Sequence, residues 1–404
     1  MLGTVVIAAL VSSPVPFDEA ADHTPKQRSS DTPAGSQTLS LGSADAPARG
    51  AIAQLTQPAG VPLAQGVTST DETPNRVLRS TGNTEKPFSA VGVSWTYRQA
   101  SVTSVALRTK SDTDVPWSAW HSTTAEATGR TSERDGTGVI WTGPAVAVDV
   151  VVTSLERTAA RDVRVGLIDP GRRAGDADTS GITTKASEKT STQAGDSTLE
   201  VASRAQWGAD EKLMTWTPEY APEISAVVVH HTATTTEYTP EQVPAILRSI
   251  YRYQAVERGW GDIGYNIIVD KFGHAWEGRA GGIDKAVIGA HAQGFNAETS
   301  GIALIGNYVT APPTEAALET LGRSIAYKLG RQDIKPTDTV RLTAGSGPRY
   351  PRGEVINVPA VIGHEAVGRT ACPGVQLDAA LPALRARAAA LIGTVSGPTV
   401  TATG

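Results

Sequence analysis

The chain has 404 residues, 40% of them hydrophobic and 19% charged, enough for a buried core and about two to three domains. Its 36 basic and 41 acidic side chains leave a net charge of −5 without a basic stripe, which argues against a nucleic-acid partner. The single cysteine, Cys372, excludes an internal disulfide, and in an exported protein its thiol would need an occupant such as a metal ion.

Leu2 to Val11 form a short apolar stretch followed by Ser12, Ser13 and Pro14. That length suits the core of a signal peptide and is too short for a membrane span, so residues 1–20 read as signal-peptide-like. The expected location is secreted or associated with the cell wall. Residues 21–87 are rich in Ser, Thr, Ala, Gly, Pro and Asp without a sustained apolar period, and are expected to form a disordered low-complexity leader.

Over residues 88–170 the apolar residues recur with period two, as in Val105 and Leu107, Val146 to Val152, and Val163 to Leu167. Several short strands of this kind predict a small β-sandwich-like accessory domain. Trp95, Trp117, Trp120 and Trp141 fall in it, where indoles either fill a core or stack on sugars; core packing is the favoured role. Residues 171–198 are polar and are expected to be a flexible linker.

The largest unit is expected over residues 199–393, with a tail at 394–404. Ile224 to His231 reads as a buried strand ending in two histidines. Thr239, Pro240 and Gln242 supply the start of a helix whose face is Val243, Ile246, Leu247 and Ile250. A hairpin is predicted from Gly264–Asp270 and His274–Arg279, and a strand from Gly301 to Tyr308. Thr314 caps a helix carrying Leu318, Leu321, Ile325 and Leu329, and Leu384 to Leu391 belong to a closing helix with Pro382 near its first turn. The fold class is α/β, a mixed central β-sheet flanked by helices.

Five of the seven histidines (His230, His231, His274, His291 and His364) and the only cysteine fall in this unit. The glycines and Pro373 in Gly363 to Gly374 favour a loop that returns the Cys372 thiolate towards the His364 imidazole. Two imidazoles and a thiolate suit Zn²⁺ and leave a fourth position free, as catalysis requires. The spacing matches neither a zinc finger nor a His-Glu-x-x-His helix. Adjacent strand residues point to opposite faces, so one of His230 and His231 has a structural role.

Seven motifs occur in order: Ser203 to Ala209 (SRAQWGA), Val229-His230-His231-Thr232, Asp262 to Asn266 (DIGYN), Trp276 to Arg279 (WEGR), Ala290 to Asn296 (AHAQGFN), Gly301 to Asn307 (GIALIGN), and the His364 to Gly374 loop. Together they resemble the peptidoglycan recognition protein and type-2 amidase family over nearly all of Leu199 to Gly393. The resemblance implies a zinc-dependent N-acetylmuramoyl-L-alanine amidase that hydrolyses the amide between N-acetylmuramic acid and L-alanine, with His230, His364 and Cys372 as metal ligands. It places the catalytic residues at Tyr265 and Thr370, and makes His231 the structural member of its pair. Alternatives are a peptidoglycan-binding protein without activity, or a zinc endopeptidase cutting within the stem peptide. Glu277, Glu365 and His291 remain candidates for the general acid. Peptidoglycan is the expected partner, and the β-rich domain a possible contact for cell-wall polymers.

Overall fold

A computed structural model describes residues 34–42, 52–54, 61, 75–96, 102–123, 125, 134–155, 160–177 and 199–395. The signal-peptide-like segment, linker residues 178–198 and tail residues 396–404 lie outside the described residues.

The first unit contains β1 (Gly35–Gly42), β2 (Ile52–Gln54), β3 (Asn75–Thr96), β4 (Val102–Lys110), β5 (His121–Thr123), β6 (Arg134–Gly136), β7 (Ile140–Leu155) and β8 (Val163–Asp169). Its order is β1-β8-β3-β7-β4-β5, with β2 and β6 on β3, and every pairing is antiparallel. Hydrogen bonds thus join all the strands into one sheet. The sheet is rolled, so that Val163, Val165 and Leu167 of β8 reach the same core as Val105 and Leu107 of β4. Apart from Val146, the alternation read from the sequence is the inward face of that core.

Two expected boundaries are corrected. The leader assigned to residues 21–87 supplies β1, β2 and the first part of β3, with Leu41, Val77 and Leu78 buried. Their apolar period is too short to register locally; their burial depends on remote partners, such as β8 for β1. The linker assigned to 171–198 begins too early, because Arg248 bonds the Pro170 and Gly171 carbonyls and both carboxylate oxygens of Asp176.

The second unit contains β9 (Val201–Ala202), β10 (Ala226–His231), α1 (Val243–Arg252), β11 (Ile267–Val269), β12 (Ala275–Glu277), β13 (Thr299–Leu304), α2 (Glu315–Gly330), β14 (Thr339–Thr343), β15 (Val355–Pro359), β16 (Val361–Gly363) and α3 (Val375–Leu391). The six-stranded mixed sheet runs β16-β10-β13-β11-β12-β9. β10 lies parallel to both β13 and β16, whereas β11 and β12 form the expected antiparallel hairpin. One face packs Val227, Val229 and Ile302 against α2 and α3. The other packs Ile268, Trp276 and Ala303 against α1.

The expected helix starts hold. Gln242 accepts the Thr239 N–H at 2.9 Å before α1, and the Thr314 hydroxyl accepts the Ala317 N–H at 3.2 Å at the start of α2. α3 begins at Val375, so Pro382, expected near the first turn of the closing helix, lies inside it. Leu377, Leu381, Leu384 and Ala388 form its buried stripe, and tertiary packing outweighs the proline. The hairpin β14–β15, for which the sequence showed no signal, packs Leu342 and Ile356 beside Val228 of β10.

The two units share a core. Ala90, Val139, Trp141 and Ile168 of the first pack with Ile246, Leu247 and Ile250 of α1. A π-helical turn, Tyr253–Glu257, follows α1 and directs polar groups to the same seam. The Tyr253 hydroxyl donates to the Val93 carbonyl at 2.9 Å, and Glu257 accepts the Ser36 hydroxyl at 2.8 Å. Among the described residues, no helix is long and apolar enough to cross a membrane.

Candidate metal centre

Parallel register builds the centre. Val227, Val228 and Val229 of β10 lie level with Val361, Ile362 and Gly363 of β16, so the next step sets His230 beside His364. Their ring centroids are 4.5 Å apart, both residues are fully buried, and they stand where two parallel strands end. Strand ends of this kind are the usual site of function in open α/β sheets.

A short turn after β16 returns the chain to the same place. His364 starts a 3-10 turn whose carbonyl accepts the Gly368 N–H at 2.8 Å, and the Glu365 N–H donates to the Cys372 carbonyl at 2.8 Å. The thiol thereby reaches 3.6 Å from His230 Nδ1. One donor atom from each of His230, His364 and Cys372 lies within 4.8 Å of the others. The structure therefore gathers the three residues expected from the sequence to ligate a metal.

Burial keeps the imidazoles neutral. His230 lies well below the ordinary histidine range because of desolvation, reinforced by His364, His291 and His231. Burial pushes His364 down to about 3, with His291 and His231 adding to the shift. Both ring nitrogens of His364 are buried without a hydrogen-bond partner. Such polar atoms are costly unless something coordinates them. Cys372 Sγ accepts the His231 N–H at 3.3 Å, a bond that favours a thiolate.

The remaining histidines separate into roles. His231 points to the opposite face, where its Nδ1 accepts the Tyr308 N–H at 3.2 Å. His291 is fully buried, with Nδ1 3.0 Å from His230 Nε2. It braces His230 from behind, and burial accounts for its depression to about 3. His274 stands apart, 2.9 Å from the Asp270 carboxylate.

Tyr265 packs its ring 5.2 Å from that of His230. Thr370 is half-buried, and its hydroxyl oxygen accepts the Cys372 N–H at 3.1 Å, which leaves the hydroxyl proton for another acceptor. Both residues expected to be catalytic thus flank the ligand cluster. Glu365 turns back over Gly363 towards Asp378, and burial together with Asp378 raises its carboxyl to about 8. Glu277 lies on β12, three strands from β10, a separation of about 14 Å.

Two supports gave no sequence signal. Arg349, in the β14–β15 connection, donates to the Glu365 carbonyl at 2.6 Å, and the Tyr350 hydroxyl donates to Ala366 at 3.2 Å. From the first unit, His121 Nε2 donates to the Ala233 carbonyl at 3.3 Å, three residues past His230. The role of His291 was missed as well, although its Ala290 to Asn296 motif stood out in the sequence.

Residues 220–375 match the N-acetylmuramoyl-L-alanine amidase family, and residues 43–193 match an N-terminal galactose-binding domain-like family. A human N-acetylmuramoyl-L-alanine amidase is 38% identical over 151 residues, 36% of this chain and 22% of the human protein. Peptidoglycan-recognition protein SC1a of Drosophila melanogaster is 30% identical over 177 residues, 44% of this chain and 81% of that protein. The solved structure of Drosophila PGRP-LB is 27% identical, covering 45% of this chain and 91% of that chain with a TM-score of 0.35. With its motifs in order across the amidase unit, the chain belongs to the peptidoglycan recognition protein and type-2 amidase family.

Proposed function

We propose that this chain is a zinc-dependent N-acetylmuramoyl-L-alanine amidase that acts outside the cytoplasm, secreted or bound to the cell wall, on peptidoglycan. The observation that carries the reading is the convergence of His230, His364 and Cys372, with both His364 nitrogens buried and unpartnered. Two neutral imidazoles and a thiolate fit zinc in a three-ligand site with one open position. When bound, zinc supplies Lewis acidity that acidifies a water molecule and polarises a carbonyl oxygen.

The chain's own groups supply the rest. His291 fixes the His230 ring: with His230 Nδ1 facing the thiol, its Nε2 carries the proton and donates to His291 Nδ1. The His231 N–H holds the thiolate, and the Tyr308 N–H holds the His231 ring. Tyr265, against His230, is assigned to orient the attacking water or bond the developing oxyanion. The Thr370 hydroxyl, its oxygen occupied by the Cys372 N–H, is oriented to donate a hydrogen bond to the same oxyanion.

A second reading, recognition of peptidoglycan without hydrolysis, is supported by relatives named as peptidoglycan-recognition proteins. Metal analysis of the purified chain, alongside dye release from labelled cell walls, separates the two. Near-stoichiometric zinc with release that a chelator abolishes supports the amidase, whereas wall binding without zinc or release supports recognition alone.

A further inference from the structure

β10 ends at His231, and the chain turns immediately through Ala233, whose φ of 53° lies in the left-handed region that disfavours a residue with a Cβ. Surrounding contacts must hold such a turn. Gly306 N–H donates to the Thr232 hydroxyl at 3.0 Å, and Lys271 Nζ donates to the Thr236 carbonyl at 2.6 Å, both from within the amidase unit. The contacts on Ala233 and Thr234 come from the other unit. His121 of β5 donates to the Ala233 carbonyl at 3.3 Å, and the Trp141 N–H of β7 donates to the Thr234 hydroxyl at 2.5 Å. Thr234 is fully buried there, and burial depresses the His121 pKa, so its ring is a neutral donor.

The turn is directly coupled to the ligand cluster. His230 lies three residues before Ala233, and the N–H of His231, between them, bonds Cys372 Sγ. The seam that presents His121 and Trp141 is itself anchored, because Ala90, Val139, Trp141 and Ile168 pack on α1 while Tyr253 and Glu257 bond across it. Both units therefore contribute contacts to a turn that adjoins the ligand cluster.

We propose that the β-rich domain is a positioning element of the metal cleft, in which His121 and Trp141 lock the Ala233–Thr234 turn and so set His230 and Cys372 in place. The effect on the ligands rests on the metal-site reading above; the lock itself does not. Two variants test it in the full chain. His121→Ala removes the imidazole donor, and Thr234→Val removes the acceptor of the Trp141 N–H while keeping the side-chain shape. His121→Gln retains a donor at about the same reach and serves as the rescue.

Amide hydrogen exchange over Thr232–Thr236 should accelerate in both disruptive variants and return towards the parent rate in His121→Gln. Titration with Co²⁺, followed by its thiolate charge-transfer band, should show affinity reduced about threefold to tenfold in the disruptive variants, as expected for one lost hydrogen bond. Unchanged exchange in His121→Ala and Thr234→Val overturns the lock. Faster exchange with unchanged Co²⁺ affinity overturns its action on the ligands. If the parent chain itself gives no thiolate–Co²⁺ band, the metal-site reading fails, and the exchange rates alone decide the lock.

Discussion

His230 Nε2 lies 3.0 Å from His291 Nδ1 while its Nδ1 lies 3.6 Å from Cys372 Sγ, so one imidazole bridges the buried His291 and the thiol. Replacing the partner by an apolar ring, His291→Phe, should lower zinc affinity about 10- to 100-fold while the chain still folds. Competition with a chromophoric chelator measures it. His291→Asn, which retains an acceptor, should recover part of the loss.

Gly301 sits in the middle of β13 for the same reason. A Cβ there would lie 2.3 Å from the His291 ring, so the glycine makes room for the brace behind His230. Gly301→Ala should cost about 1–3 kcal/mol of stability by overpacking. It should also weaken zinc binding, and denaturant unfolding with the same chelator competition would report both effects.

The buried imidazoles make stability depend on pH in the metal-free chain. His231, His291 and His364 titrate at about 3 when folded, against 6.5 for an ordinary histidine, chiefly through burial. Below pH 6.5 the unfolded chain takes up protons that the folded chain refuses, so stability present above that value is lost as pH falls towards about 3. Each such group contributes up to about 1.4 kcal/mol per pH unit in that window. The melting temperature of chelated protein should therefore fall steeply between roughly pH 6 and pH 4, and saturating zinc should move the fall to lower pH.

The seam between the units should make them unfold together. Tyr253→Phe removes one of two donors to the buried Val93 carbonyl, which keeps the Thr137 N–H, and should cost about 0.5–1.5 kcal/mol. Gly92→Ala should cost more, because its Cβ would lie 2.2 Å from the Tyr253 ring. Calorimetry should show one transition for the parent chain and a split or broadened one for Gly92→Ala.

Much of the amidase unit was legible because its signals are local. The cap at Thr314, the capping box at Thr239 and Gln242, and the pleat that divides His230 from His231 each depend on residues close in sequence. The cluster of His230, His364 and Cys372 was readable only through motifs, since His230 and Cys372 meet across 142 positions. What escaped depends on remote partners. β1 gains its burial from β8, and Arg349 acts through carbonyls of a loop sixteen residues away. The start of α3 was masked by Pro382 and by the polar Gln376 and Asp378 within its first turns.

The most direct measurement is mass spectrometry of defined muropeptides incubated with the purified chain, with Cys372→Ala and chelated protein as controls. The expected result is free stem peptide with an L-alanine amino terminus and the glycan left intact, lost in both controls. Cleavage within the stem peptide, or release that persists without Cys372 and metal, would contradict a zinc amidase.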